Sequence, residues 1–230
     1  MQQEELLEGL RDSIPIVLGY LPLGFAFGVL ASEVGMNTSQ ATLMSLFCFT
    51  GAGQYIAIGV MKAGGAVLTI IMANFLVSLR YFLFATSLVP HLKKKIPTPI
   101  ATLLAYGTTD ETYAVAINRY KDKEATASYM AGLNLFAHLG WVISTLLGAF
   151  CGTLITNTDK LGLGFALPAM YTCLLVFMVG KKSEAAVAIF TAIACLIIGC
   201  IYPSSMTNLS NIIIATLIGA TLGVFINERK

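Results

Sequence analysis

The stretch Thr50-Gly51-Ala52-Gly53-Gln54 decides how the rest of the chain is read, because it lies at the centre of an apolar run from Ala41 to Met61. About 20 helical residues at ~1.5 Å rise cover the ~30 Å core of a bilayer. Two glycines, a threonine and a glutamine at the middle make a poor plain lipid-facing helix. Gly costs ~1 kcal/mol against Ala in a helix interior, and a mid-depth amide needs a partner. Non-helical backbone at membrane depth survives where protein buries it or where it lines a wet cavity. One reading is an interrupted helix that turns bare N–H and C=O groups toward a charged ligand. The other is close helix packing at Gly51 and Gly53, with Gln54 hydrogen-bonding across the interface.

Outward from this stretch the chain is 230 residues long, 57% hydrophobic and 11% charged, with a mean hydropathy of +0.79. Soluble domains carry about 25% charged residues, so the composition implies an all-α polytopic membrane protein. It reads as one transmembrane domain over residues 1–230, with weak halves 1–120 and 121–230. A net charge of +2 is too small to suggest a nucleic-acid partner. The amino-terminal MQQEELLEGLRD lacks the basic region that opens a secretory signal, so no cleaved leader is expected. The five cysteines (Cys48, Cys151, Cys173, Cys195, Cys200) are scattered through apolar runs without CxxC spacing and read as packing residues.

Asp12-Ser13 followed by Pro15 predicts a helix start, and the uncharged span Ile14–Ala31 carries Gly19, Pro22 and Gly24, which predict a kink or break near its middle. A third span, Gly65–Pro90, places Asn74, Ser78 and Tyr81 on one face and carries Arg80. The basic loop Lys93–Lys95 follows. The stretch Ile100–Asn118 is apolar at both ends, polar at Thr108–Thr112, and flanked by basic residues on both sides, which favours a re-entrant pair of half-segments. Ala125–Thr158 is a long fourth crossing with Asn134, His138 and Trp141 on one face. That face reads as a hydrogen-bonded packing surface in preference to a proton relay. Leu161–Gly180 is a fifth crossing, and Tyr202-Pro203-Ser204-Ser205 splits Ala185–Asn227 into two more.

Counted this way there are about seven transmembrane helices plus a re-entrant segment, with the N-terminus outside and ten Lys/Arg inside against three outside. Eight crossings, with 100–118 spanning, would divide the basic residues nine to four. Gly19-Tyr20 echoes Gly140-Trp141, and GFAFG at Gly24–Gly28 echoes GAFCG at Gly148–Gly152, a weak repeat that the seven-crossing count would make inverted. Gly219 and Gly223 read as a packing face.

Charged residues inside membrane runs are functional candidates. Arg80 and the adjacent carboxylates Asp110 and Glu111 could neutralise one another in the interior, and two carboxylates against one guanidinium would leave a negative charge that one proton removes. The alternatives are that the acidic pair caps the second half-segment near Thr109, and that Arg80 serves as an ion pair or snorkels. Enzyme signatures are missing: Gly180-Lys181-Lys182-Ser183 lacks the upstream glycine of a phosphate loop, and neither HExxH nor GxSxG occurs. No catalytic residue, metal or cofactor is expected.

Four strings in order, DSIPIVLGYLPLGFAFG (Asp12–Gly28), TGAGQYI (Thr50–Ile56), NFLVSLRYFLFATSL (Asn74–Leu88) and TTDETYA (Thr108–Ala114), resemble the AzlC family, the large subunits of bacterial branched-chain amino acid exporters. The resemblance runs from about residue 9 to the end and is strongest in the first half. It implies a multi-pass protein of the bacterial cytoplasmic membrane that works with a small AzlD-type subunit to export valine, leucine, isoleucine and, in some relatives, methionine. A zwitterion needs donors, acceptors and an apolar pocket. On physical grounds the substrate-binding candidates are Pro22, Gly24, Phe25, Thr50, Gly51, Gly53, Gln54 and Asn74, with Phe27 among the apolar neighbours. Arg80, Thr109, Asp110 and Glu111 form the expected proton-coupling or charge network. Alternating access driven by the proton or membrane potential is the expected mechanism. Transport of another small solute and a non-transporting assembly role are the rival expectations.

Overall fold

A computed structural model describes residues 2–155, 162, 165, 168, 169, 171, 172, 175, 176, 179–203 and 210–227, and contains helices and no strand among them. Two compact units divide it, Met1–Leu167 and Pro168–Lys230. In the first unit the helices are α1 (Gln2–Glu33), α2 (Thr38–Phe47), α3 (Ala52–Lys62), α4 (Val67–Leu92), α5 (Thr98–Ala105), α6 (Asp110–Arg119) and α7 (Ala127–Gly152). The second contains α8 (Lys182–Ile201) and α9 (Ser210–Asn227). Among the described residues four helices, α1, α4, α7 and α8, are long and apolar enough to cross a membrane.

The spine of the first unit is the parallel pair α1 and α7. Gly9 packs on Tyr129 and Leu133, Gly24 on Trp141 and Ser144, and Gly28 on Thr145 and Ala149, while Ser32 donates to Ala149 O at 3.0 Å. The numbers rise together, so the helices run the same way. A Cβ added at Gly9, Gly28, Gly132 or Gly148 would strike backbone of the other helix, which is how small residues let membrane helices approach. GFAFG and GAFCG are therefore two sides of one parallel contact, not inverted copies.

Two local expectations for α1, its start at Asp12-Ser13 and a break near its middle, are revised. The helix starts at Gln2, not at Asp12-Ser13, and continues unbroken through Pro15 and Pro22. Ser13 Oγ donates to Leu10 O at 2.6 Å, and Asp12 accepts from Tyr129 OH at 2.9 Å. Both polar side chains are used inside the bundle, and α7 supports the helix along its length.

The run Ala41–Met61 is broken at the expected place but does not cross. α2 ends at Phe47, Gly51 takes φ 49° and ψ −82°, and α3 begins at Ala52. Lys62, the last residue of α3, pairs with Glu33, the last of α1, at 2.6 Å. The chain thus returns to the end it left. Residues 98–119 repeat the arrangement from the opposite end: α5 enters, Tyr106–Thr109 interrupts, and α6 returns beside α4. Arg80 pairs with Asp110, Phe84 stacks on Tyr113 and His91 lies near Tyr120. The ends of α2 and α3 recur 57 to 60 residues later in α5 and α6 (Thr38 against Thr98, Phe47 against Ala105, Ala52 against Asp110, Lys62 against Arg119). The inverted repeat of this unit is α1–α2–α3 against α4–α5–α6.

The same geometry revises the sidedness. Glu8, ahead of the apolar run of α1, pairs with Arg119 at 3.0 Å and Lys123 at 2.6 Å. Hydrogen bonds from Arg119 and then Lys123 hold its carboxyl down to about 2. Lys95 pairs with Glu124 at 3.3 Å. The amino-terminal stretch and both basic loops therefore share one end, whereas seven crossings with the N-terminus outside would put them on opposite faces.

In the second unit α8 and α9 pack antiparallel, with Gly219 against Thr191 and Gly223 near Val187, as read for that pair. Glu184 accepts from the N–H groups of Gly180 and Lys181 at 2.9 and 3.0 Å, so Gly180–Ser183 is a capped helix start. The split after Tyr202 occurs, with residues 204–209 outside those described. Half of the expected fifth crossing, Leu161–Gly180, also lies outside them.

Candidate functional site

The two breaks meet in the middle of the first unit. Tyr106 OH, at the second, donates to Leu46 O, at the end of α2, at 2.6 Å. Interrupting a helix strands carbonyls at one side and N–H groups at the other, and α7 supplies partners from one face. Asn134 Nδ2 donates to Leu104 O at 2.7 Å, His138 Nε2 lies 3.3 Å from Ser45 O, and Trp141 Nε1 donates to Gln54 Oε1 at 2.9 Å. One side chain thus serves the end of α5, one the end of α2 and one the first turn of α3. The Asn134–His138–Trp141 face is the hydrogen-bonded packing surface expected from its spacing, and it holds both interruptions open.

Gln54 is 1% exposed and spends both ends of its amide internally: Nε2 donates to Ser45 Oγ at 2.9 Å, and Ser45 in turn contacts Thr145 Oγ1 at 2.8 Å. Gly53 packs against Asn74 and Thr50, and a Cβ there would collide with Asn74 Oδ1. Asn74 Nδ2 donates to Ile70 O at 3.1 Å. Gly51 supplies a backbone conformation that L-residues rarely adopt and gives α3 no side-chain cap. The breaks thus contrast: α6 has a full capping box, with Thr109 Oγ1 accepting from Thr112 N at 3.3 Å and Thr109 N donating to Thr112 Oγ1 at 2.8 Å.

A cavity of about 650 Å³ lies between the breaks and the end carrying the basic loops. Phe49, Thr50, Tyr106 and Thr108 line it at the breaks, Tyr81, Leu88 and Leu92 along α4, Ala101 on α5, and Met130 at the start of α7. Its wall is largely apolar. The hydroxyls of Thr50 and Thr108, one from each break, are buried without a hydrogen-bond partner among the described residues. Tyr81 OH lies 3.5 Å from Thr50 O.

Next to the cavity stands the charge network. Arg80 Nη1 pairs with Asp110 Oδ2 at 2.9 Å, both side chains being largely buried (23% and 14% exposed). Glu111 Oε2 accepts from Tyr20 OH at 2.7 Å, and the same hydroxyl lies 2.8 Å from Thr109 Oγ1. The two carboxylates sit in the first turn of α6, where the helix dipole favours them, but their side chains turn outward to α4 and α1 while the threonines make the cap.

Of the expected residues, the structure brings together Thr50, Gly51, Gly53, Gln54 and Asn74 at the first break, and Arg80, Thr109, Asp110 and Glu111 at the second. Pro22 is exposed, and Gly24 and Phe25 lie in the α1–α7 contact; none of the three lines the cavity. Sequence reasoning missed Tyr20, Thr108 and Tyr106. Thr108 was visible as the residue two places before its half-helix, as Thr50 is before α3.

Residues 15–155 match the family model described as AzlC protein. The chain belongs to the AzlC family. Among AzlC relatives, the inner membrane protein YgaZ of Escherichia coli (strain K12) is 27% identical over 183 residues, covering 77% of this chain and 75% of that protein. A membrane protein of Archaeoglobus fulgidus is 33% identical over 184 residues, 79% of this chain and 80% of its own length. The branched-chain amino acid transport protein AzlC of Bacillus subtilis is 25% identical over 184 residues, 76% and 68% of the two chains. No solved structure matches. Together with the four apolar helices, these likenesses make this a multi-pass membrane protein.

Proposed function

We propose that the chain is the large subunit of a two-component secondary transporter that exports branched-chain amino acids through the cavity between the two breaks. The observation that carries this is the meeting of two oppositely directed re-entrant helix pairs at an apolar-walled cavity that presents Thr50 and Thr108 hydroxyls. Transporters place substrates at such midplane interruptions. The hydroxyls face the charged ends of the zwitterion, with Gly51 and Gly53 shaping the break behind Thr50, while Leu88, Leu92 and Met130 face its side chain. A hydrophobic pocket distinguishes one methylene by ~1–3 kcal/mol, so valine, leucine, isoleucine and methionine are accepted together. Gln54 and Asn74 act by holding the break, and Arg80, Thr109, Asp110 and Glu111 carry the coupling to the proton or membrane potential. Pro22, Gly24 and Phe25 support the wall from α1.

The basic residues Arg11, Lys93–Lys95, Arg119, Lys121 and Lys123 share the end bearing the amino terminus, and Lys62 sits at the other. By the positive-inside tendency that end faces the cytoplasm, and the cavity takes substrate from there. The partner in this reading is a small AzlD-type subunit; the location is the bacterial cytoplasmic membrane, in keeping with the name of the Escherichia coli relative. Cells lacking this gene and its partner, fed valine- or leucine-containing dipeptides, should accumulate the free amino acid, and re-expression of both should restore efflux. Efflux unchanged by the deletion removes the substrate assignment.

A further inference from the structure

Tyr20 touches both breaks. Its hydroxyl donates to Glu111 Oε2 at 2.7 Å and lies 2.8 Å from Thr109 Oγ1 at the second. Its ring, 5% exposed, packs edge-on to Phe49 at 6.2 Å, at the first break, and to Trp141 at 5.3 Å. Trp141 holds Gln54 of α3. Phe49 in turn lines the cavity and stacks on His138 at 4.3 Å.

We propose that Tyr20 is a positioning residue that links the protonation of Glu111 to the setting of Phe49 on the cavity wall. The two carboxylates of α6 have separate jobs. Asp110 is held by Arg80, whereas the side-chain hydrogen bond that reaches Glu111 among the described residues comes from Tyr20. The groups around Glu111 are Tyr20 from α1, Arg80 and Tyr81 from α4, and Asp110 beside it on α6. Behind Tyr20, α7 contributes the uncharged Trp141. A hydroxyl bound to a carboxylate makes a bond roughly twice as strong as one to a neutral acceptor. A proton on Glu111 therefore weakens the hold on the Tyr20 hydroxyl and leaves it to Thr109. The ring is wedged between Phe49 and Trp141, so its shift reaches the first break without any movement of Arg80 and Asp110.

The purpose of this link rests on the transport reading, but its existence can be tested apart from flux. Cys48 is exposed and lines the cavity next to Phe49. In the full chain with Cys151, Cys173, Cys195 and Cys200 replaced by Ala, the rate of Cys48 alkylation by N-ethylmaleimide reports on the first break. Rates for Tyr20→Phe and for Glu111→Gln, divided by the parent rate at each pH, cancel the titration of the thiol. Both ratios should change about fivefold between the acid and alkaline ends of the range, the effect of about one hydrogen bond. Ratios that differ from one but stay constant with pH would mean a purely structural Tyr20 and overturn the proposal, as would ratios equal to one. Should Tyr20→Phe fail to fold, judged by Trp141 fluorescence melting, Glu111→Gln carries the test alone, since it keeps an acceptor for Tyr20. Branched-chain efflux by the parent together with flat ratios defeats the link alone. Changing ratios without efflux defeat the transport reading alone.

Discussion

Replacing Gly51 by Ala tests whether the first break is built into the backbone or follows from side-chain packing. Gly51 takes φ 49° and ψ −82°, outside even the small left-handed helical region that other residues visit. The added Cβ would meet nothing nearer than the Trp141 ring at 3.7 Å, an ordinary contact, so there is no steric contribution. The whole cost is conformational, about 1–3 kcal/mol for a residue held in such a region. Gly59 lies eight positions further along in α3 with open space where its Cβ would stand. Gly59→Ala should therefore stabilise the protein, by up to ~1 kcal/mol. Two identical substitutions in one segment are thus expected to act with opposite signs. Unfolding in detergent would be followed by intrinsic fluorescence, which reports from this spot because Trp141 is the single tryptophan. Gly51→Ala as stable as the parent, or Gly59→Ala equally damaging, would refute a glycine-dependent turn at residue 51.

Arg80→Leu should destabilise by about 3–5 kcal/mol, since it leaves the buried Asp110 carboxylate uncompensated; the double change Arg80→Leu/Asp110→Asn should recover much of this in the same melting assay. Asn134→Leu frees Leu104 O at the end of α5 and should cost about 1–3 kcal/mol. Tyr106→Phe, which removes one hydrogen bond at the partly exposed rim, should cost about 1 kcal/mol. The Glu8 carboxyl sits at about 2 in the folded state, below its ordinary value of 4.5. Its contribution to stability is complete above the ordinary value and is lost as pH falls toward the folded one. Melting of the parent should therefore drop more steeply than that of Glu8→Gln as the pH is lowered through this window.

The interruption at residues 50–54 was legible because glycine and glutamine are anomalous at the centre of an apolar run. The Asn134–His138–Trp141 face was legible because polar residues at helical spacing in an uncharged span have few other uses. The pairing of Arg80 with Asp110 of the acidic dipeptide followed from the scarcity of charge, whereas Glu111 is bonded by Tyr20 instead. What the sequence could not show was direction. Whether a chain continues or doubles back after a break depends on which end of which helix receives it, and that is settled by tertiary pairs such as Glu33–Lys62 and Glu8–Arg119. The prolines of α1 misled for a related reason: the local preference to break is overruled by glycine-mediated contact with α7. Tyr20 stayed hidden because one tyrosine in an aromatic-rich span carries no signal until Glu111, 91 positions away, comes to meet it.

The opposed repeats have a consequence for the state not seen here. Each repeat is a long helix followed by a folded-back pair, so each already displays a shape the other can take. If the first adopts the posture of the second and the second that of the first, the hollow closes toward Lys93 and reopens toward Glu33 and Lys62, where the ion pair between those two residues must then part. On the proposed transport reading, the arrangement open toward Lys93 thereby sketches its opposite-facing counterpart.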